Sequence, residues 1–106
     1  MVTVTLSKAQ AGWVEWALPA VEQYLTERVA EGELTALPPL PKLEGCTLRL
    51  EPDTEVLADL QYRLVDMAPD VAVGADTLQA EVGGARCAAR AWERISLAVV
   101  AAMKKS

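Results

Sequence analysis

Apolar and polar residues alternate over 2–6, "VTVTL", with Val2, Val4 and Leu6 on one side and threonines between. A period of two in β-branched residues predicts a short strand. The period changes at Ser7. "SKAQ" reads as a capping box, the Ser7 hydroxyl accepting from the Gln10 amide and the Gln10 side chain reaching back. From there Val14, Leu18, Val21, Leu25 and Val29 recur at spacings of three and four, with Trp13, Trp16 and Ala20 widening the stripe and Tyr24 bordering it. This predicts a first helix over about 8–31, stopped by Gly32. Pro19 falls inside it and predicts either a kink or a break into two helices. Leu18 would cap a second helix poorly.

"ELTALPPLPKLEG" over 33–45 predicts an extended connector, because Pro38, Pro39 and Pro41 forbid helix. "PPLP" also fits the short proline motifs read by WW and SH3 domains, a pattern common by chance. Alternation returns in "CTLRLE", 46–51, with Cys46, Leu48 and Leu50 on the inward side. Pairing 2–6 with 46–51 gives a two-stranded β-ribbon, which is marginal alone and needs helices beneath it. Asp53 caps a second helix over about 54–68, with Val56, Leu57, Leu60, Leu64 and Met67 facing inward and Pro69 as its stop. "DVAVGAD" is a linker, and Asp76 with Gln79 offers another capping box. A third helix follows over about 77–103, roughly 40 Å if continuous.

These elements predict a single, mainly α domain over 1–106: three helices with a short β-ribbon and a Pro-rich connector at about 33–45. A chain of 106 residues buries roughly 65% of its unfolded surface. Aromatics are few and Phe is absent, so Leu, Val and Ala must build the core. The formal charge of −5 argues against strong non-specific binding of nucleic acid. It suits solubility, a basic protein partner or mimicry of DNA. The opening residues lack the pattern of a secretory signal, and no apolar run approaches the roughly 18 residues of a membrane helix. A cytoplasmic protein with reduced, buried Cys46 and Cys87 is expected.

Little catalytic chemistry is legible. The chain has no His, so Ser7, Ser96, Cys46 and Cys87 lack the usual base of a triad. Two distant cysteines make no zinc site, and "EVGGAR" lacks both GxGxxG and the Walker lysine. Acidic residues are numerous, but no pair stands out as an acid–base couple. A non-enzymatic protein without cofactor or metal is therefore expected.

The third helix holds the more suggestive features. Arg86, Arg90 and Arg94 recur every four residues and repel mildly, by a few tenths of a kcal/mol per pair. A charged seam against Glu55, Asp59, Asp66 and Asp70 of the second helix would satisfy them; an anion or partner site and phosphate contact are the alternatives. Two stripes run along the same helix. One is Leu78, Val82, Ala85, Ala89, Trp92, Ser96, Val99 and Met103, the expected core face; the other is Gly84, Ala88, Ala91, Ile95, Ala98 and Ala102, small enough for close helix approach. Gly83 and Gly84 each cost about 1 kcal/mol against Ala in a helix, which close packing would explain. The polar side passes through Arg86, Arg90 and Glu93, then turns apolar at Leu97 and Val100 before Lys104. Such a surface calls for cover by another part of the chain, a second copy or a foreign protein. Trp13 and Trp16 are either core or an exposed binding pair.

The opening "VTVTLSKAQ", then "LADLQYRLVDM" and "ARAWERISLAV" in a helical hairpin, resemble small helical accessory proteins of phages of GC-rich bacteria. The resemblance covers most of the chain, rests on texture rather than a motif, and carries over no site residue. It implies a protein that binds a host or phage protein or assembles with itself. The helical surfaces themselves offer Leu97 and Val100 as contacts, with Trp13 or Trp16 beside them. A small acidic regulator that binds or mimics nucleic acid is the alternative, with a small enzyme behind it.

Overall fold

A computed structural model describes residues 1–70 and 84–104. The elements are β1 (Val2–Thr5), α1 (Lys8–Ala30), β2 (Lys42–Glu44), β3 (Thr47–Leu50), α2 (Thr54–Gln61), a π-helical continuation of α2 (Tyr62–Met67) and α3 (Ala85–Lys104). The fold is mainly α with a small antiparallel sheet, as the periodicities predict. The linker, the Asp76–Gln79 cap, Leu78, Val82 and Gly83 lie outside the described residues. The third helix does not run continuously over 77–103 as expected: it begins at Ala85, because the left-handed backbone of Gly84 interrupts it.

The sheet has three strands, not two, in the order β1-β3-β2. β1 pairs with β3 in the expected antiparallel sense, Val2 opposite Leu50 and Val4 opposite Leu48. The additional strand comes from the end of the Pro-rich segment, with Leu43 opposite Leu48 and Glu44 opposite Thr47. Gly45 makes this hairpin possible: its φ of +62° serves a two-residue turn, which an L-residue adopts poorly. Cys46 therefore sits in the turn and is exposed, instead of facing inward at the start of the strand. "PPLP" is no free ligand either, because Pro41 is buried and Leu40 packs against the core.

The α1 N-terminus carries the full capping box: Gln10 N donates to Ser7 Oγ at 3.1 Å and Ser7 N donates to Gln10 Oε1 at 2.9 Å. The helix runs unbroken through Pro19, whose ring is exposed. It ends in a Schellman motif at Gly32, with Glu33 N donating to Arg28 O at 2.9 Å and Gly32 N to Val29 O at 3.1 Å. Asp53 Oδ1 accepts from the amides of Glu55 and Val56 and so caps α2. Pro69 does not stop this element, which stays helical through Asp70. The turn widens first: Ala68 N donates to Arg63 O, five residues back. In a regular helix the Pro69 ring would meet the Val65 carbonyl, and the wider turn ahead of it relieves that contact.

One core joins the layers. The inward face of the sheet (Val2, Val4, Leu6, Leu48, Leu50) lies against buried residues of α1 (Ala11, Trp13, Val14, Ala17, Val21, Leu25) and of α2 with its continuation (Val56, Leu60, Leu64, Ala68). α3 closes the core with Ala88, Ala91, Ile95 and Val99. The buried face of α3 thus joins Ala88, Ala91 and Ile95 of the small-residue stripe to Val99 of the stripe through Trp92. The rest of the Trp92 stripe lies to the side: Trp92 and Ser96 are half-buried, and Ala89 and Met103 are exposed. Alanines on both α1 and α3 let these helices pack closely, so less side-chain volume is needed between them.

Gly84 stands outside this face. It precedes the helix with φ +80°, and Cys87 N donates to its carbonyl at 3.1 Å. A left-handed backbone turns the chain into the first turn of α3, and that conformation by itself calls for glycine.

Candidate protein-interaction surface

α3 positions the surface. With Ile95 pointing into the core, the helical repeat places Leu97 and Val100 roughly 160° and 140° around the axis, on the opposite side. Their exposures agree: 62% for Leu97 and 48% for Val100. Arg86, Arg90, Glu93, Leu97, Val100 and Lys104 follow one another at spacings of four and three and form one outward stripe. All six are exposed, so the described residues provide no intrachain cover for its apolar part. An open cleft of about 420 Å³ beside the stripe is lined by Gln10, Arg90, Glu93, Arg94 and Leu97.

The expected arginine seam between α2 and α3 does not form among the described residues. Arg94 Nη1 donates to the Thr5 carbonyl at 2.8 Å and ties α3 to β1. Arg86 and Arg90 are exposed and have no ion pair with a described residue. The acids of α2 are taken up elsewhere. Glu55 pairs with Arg28, which also holds Glu33 at 3.0 Å. Asp59 pairs with Arg63 one turn on, at 2.8 Å. A carboxylate–arginine pair within one helix already has favourable geometry, and α1 supplies Arg28 from a closer helix.

These pairs make a second polar cluster that the sequence reading missed. A shallow depression of about 300 Å³ is lined by Tyr24, Arg28, Glu55, Asp59, Tyr62 and Arg63. Asp59 is the one buried charged side chain among the described residues, 8% exposed. The hydrogen bonds that Arg28 donates to Glu55 and then to Glu33 raise its pKa above the usual value. The Arg28 guanidinium lies 5.6 Å from the Tyr24 ring centroid. Each guanidinium already has a carboxylate partner, so the cluster locks α1 onto α2 and leaves no spare cation for an anion. The only sequence signal was the i,i+4 spacing of Asp59 and Arg63; the Arg28 pairs connect residues distant in sequence.

The tryptophans separate. Trp13 is fully buried and cannot serve as a surface contact, whereas Trp16 is half-buried. Their rings meet edge to face, 5.2 Å between centroids and 90° between planes. Trp13 Nε1 has no hydrogen-bond partner among the described residues. The cysteines also depart from the expectation of buried thiols: Cys46 is exposed and Cys87 half-buried. Burial pushes the Cys87 thiol up, and the Arg90 charge and the Ser7 side chain lower it only in part. Such a thiol is poorly ionised at neutral pH and is a weak nucleophile.

No helix among the described residues is long and apolar enough to cross a membrane. No group of three or more Cys, Asp or Glu side chains among them could hold a metal ion. No protein family, no curated protein and no solved structure matches the chain.

Proposed function

We propose that this protein is a non-enzymatic interaction module that binds another protein chain through the outward face of α3. The observation that carries this reading is the exposure of Leu97 and Val100 on the side of α3 opposite its core face. Covering the half of each side chain that is still exposed yields roughly 1–1.5 kcal/mol, a gain the isolated chain forgoes. An accessory role of the kind implied by the sequence resemblance fits the same surface. Direct nucleic-acid binding has less support, because Arg94, Arg28 and Arg63 are engaged within the chain.

Leu97→Glu combined with Val100→Glu tests the reading. The thermal midpoint should stay within a few degrees of the parent, since both side chains are exposed, while binding to protein partners, including self-association, should be lost. A double variant that keeps every partner of the parent overturns the proposal.

A further inference from the structure

We infer that the partner of the α3 face is a second copy of this chain, docked head to tail into the groove between α1 and β2. This rests on the reading of α3 as the binding face and adds what fills it. The argument is one of charge and shape. The α3 stripe carries Arg86, Arg90 and Lys104 against Glu93 alone, around Leu97 and Val100. Two such stripes facing each other would bring arginines against arginines in parallel, or against Lys104 in antiparallel, at unfavourable distances. A symmetric α3–α3 pair is therefore disfavoured.

The complementary surface lies on the same molecule. A groove of about 470 Å³ between α1 and the β2 hairpin has a floor of Leu18, Leu40 and Leu43 and a rim of Glu15 and Glu22; no cation lines it. Leu18 lies between the two glutamates in sequence, as Leu97 lies between Arg90 and Lys104. Both glutamates are exposed, and the three leucines are only partly buried. An apolar ridge flanked by cations thus meets an apolar groove flanked by carboxylates.

Topology places the two surfaces apart. The strand order is β1-β3-β2, α3 packs beside β1, and the groove lies along β2 at the other edge of the sheet. One molecule cannot close this contact on itself, and a copy that offers its ridge keeps its groove free. A contact of this type joins molecules into rings or open chains, not into a symmetric dimer.

Light scattering on the full chain, with a monomer of 11.4 kDa, reads the outcome. The parent should show a mass above the monomer that rises with concentration. Leu97→Glu/Val100→Glu blocks the ridge, and Glu15→Lys/Glu22→Lys blocks the groove. Each should run as a monomer with unchanged circular dichroism, since all four positions are exposed. An equimolar mixture retains one intact ridge and one intact groove, and should form a single species of twice the monomer mass. A groove variant that associates like the parent, or a mixture that stays monomeric, overturns the inference. A monomeric parent whose ridge variant loses a foreign partner also overturns it, and leaves the function of α3 standing.

Discussion

Trp13 shows how much rests on a single large side chain in a core built mainly of Leu, Val, Ile and Ala. It is fully buried and meets Trp16 edge to face. Trp13→Ala should cost about 3–5 kcal/mol, because the ring leaves a cavity that its neighbours fill only in part. Trp16→Ala should cost clearly less, in proportion to its partial burial. Urea unfolding of both variants gives the comparison. Cysteine chemistry offers a second test at this scale. Iodoacetamide at neutral pH should modify exposed Cys46 well before Cys87, which is partly covered and whose thiol is held in the protonated form. Modification of Cys87 should speed up only as the pH climbs past the usual thiol range. Equal rates at pH 7 would contradict the placement of Cys87.

At the scale of elements, local signals set the boundaries and tertiary contacts set the faces. Ser7→Ala should cost about 1 kcal/mol, since it removes one half of the capping box and releases the other. Gly84→Ala should cost roughly 1–2 kcal/mol for the left-handed backbone alone. Arg63→Ala should cost about 2 kcal/mol, because Asp59 would stay buried without its partner. Equilibrium unfolding measures all three. Caps, helix periods and the β1–β3 alternation were legible because each depends on residues a few positions apart. β2 was not, because three prolines mask a strand of three residues whose only local signal is Gly45. The choice between the two stripes of α3 was also hidden. Trp92 looks like a core anchor by itself, yet α1 comes near enough to require alanines on the facing side. The arginine seam failed for a related reason: spacing shows which charges share a face, and only packing shows that Arg28 and Arg63 reach the acids of α2 first.

At the scale of the molecule, α1 and α3 frame the core and bear the two surfaces of opposite charge. α3 holds Arg86, Arg90, Arg94 and Lys104 against Glu93, inside a chain whose formal charge is −5. The acidic surplus therefore lies outside α3, and the molecule is polarised more strongly than its net charge suggests. Leu97 and Val100 were legible as a surface because the apolar positions outnumber what one buried face can use. The groove was not, since Leu18 comes from α1 and Leu40 and Leu43 from the Pro-rich segment far along the chain.

The hydrogen bond from Arg94 to Thr5 has a consequence for solubility. Leu6 N donates to the carbonyl of Cys46, in the turn just before β3, so the Thr5 carbonyl points to the opposite side, along the open margin of the sheet. An open strand margin is a template on which other chains add strands, and the guanidinium of α3 occupies one of its acceptors. Arg94→Ala should leave the chain folded and shorten the lag before fibril growth under mild warming, read by thioflavin fluorescence. The helix whose outer face we propose as a docking surface thereby also guards an open strand margin.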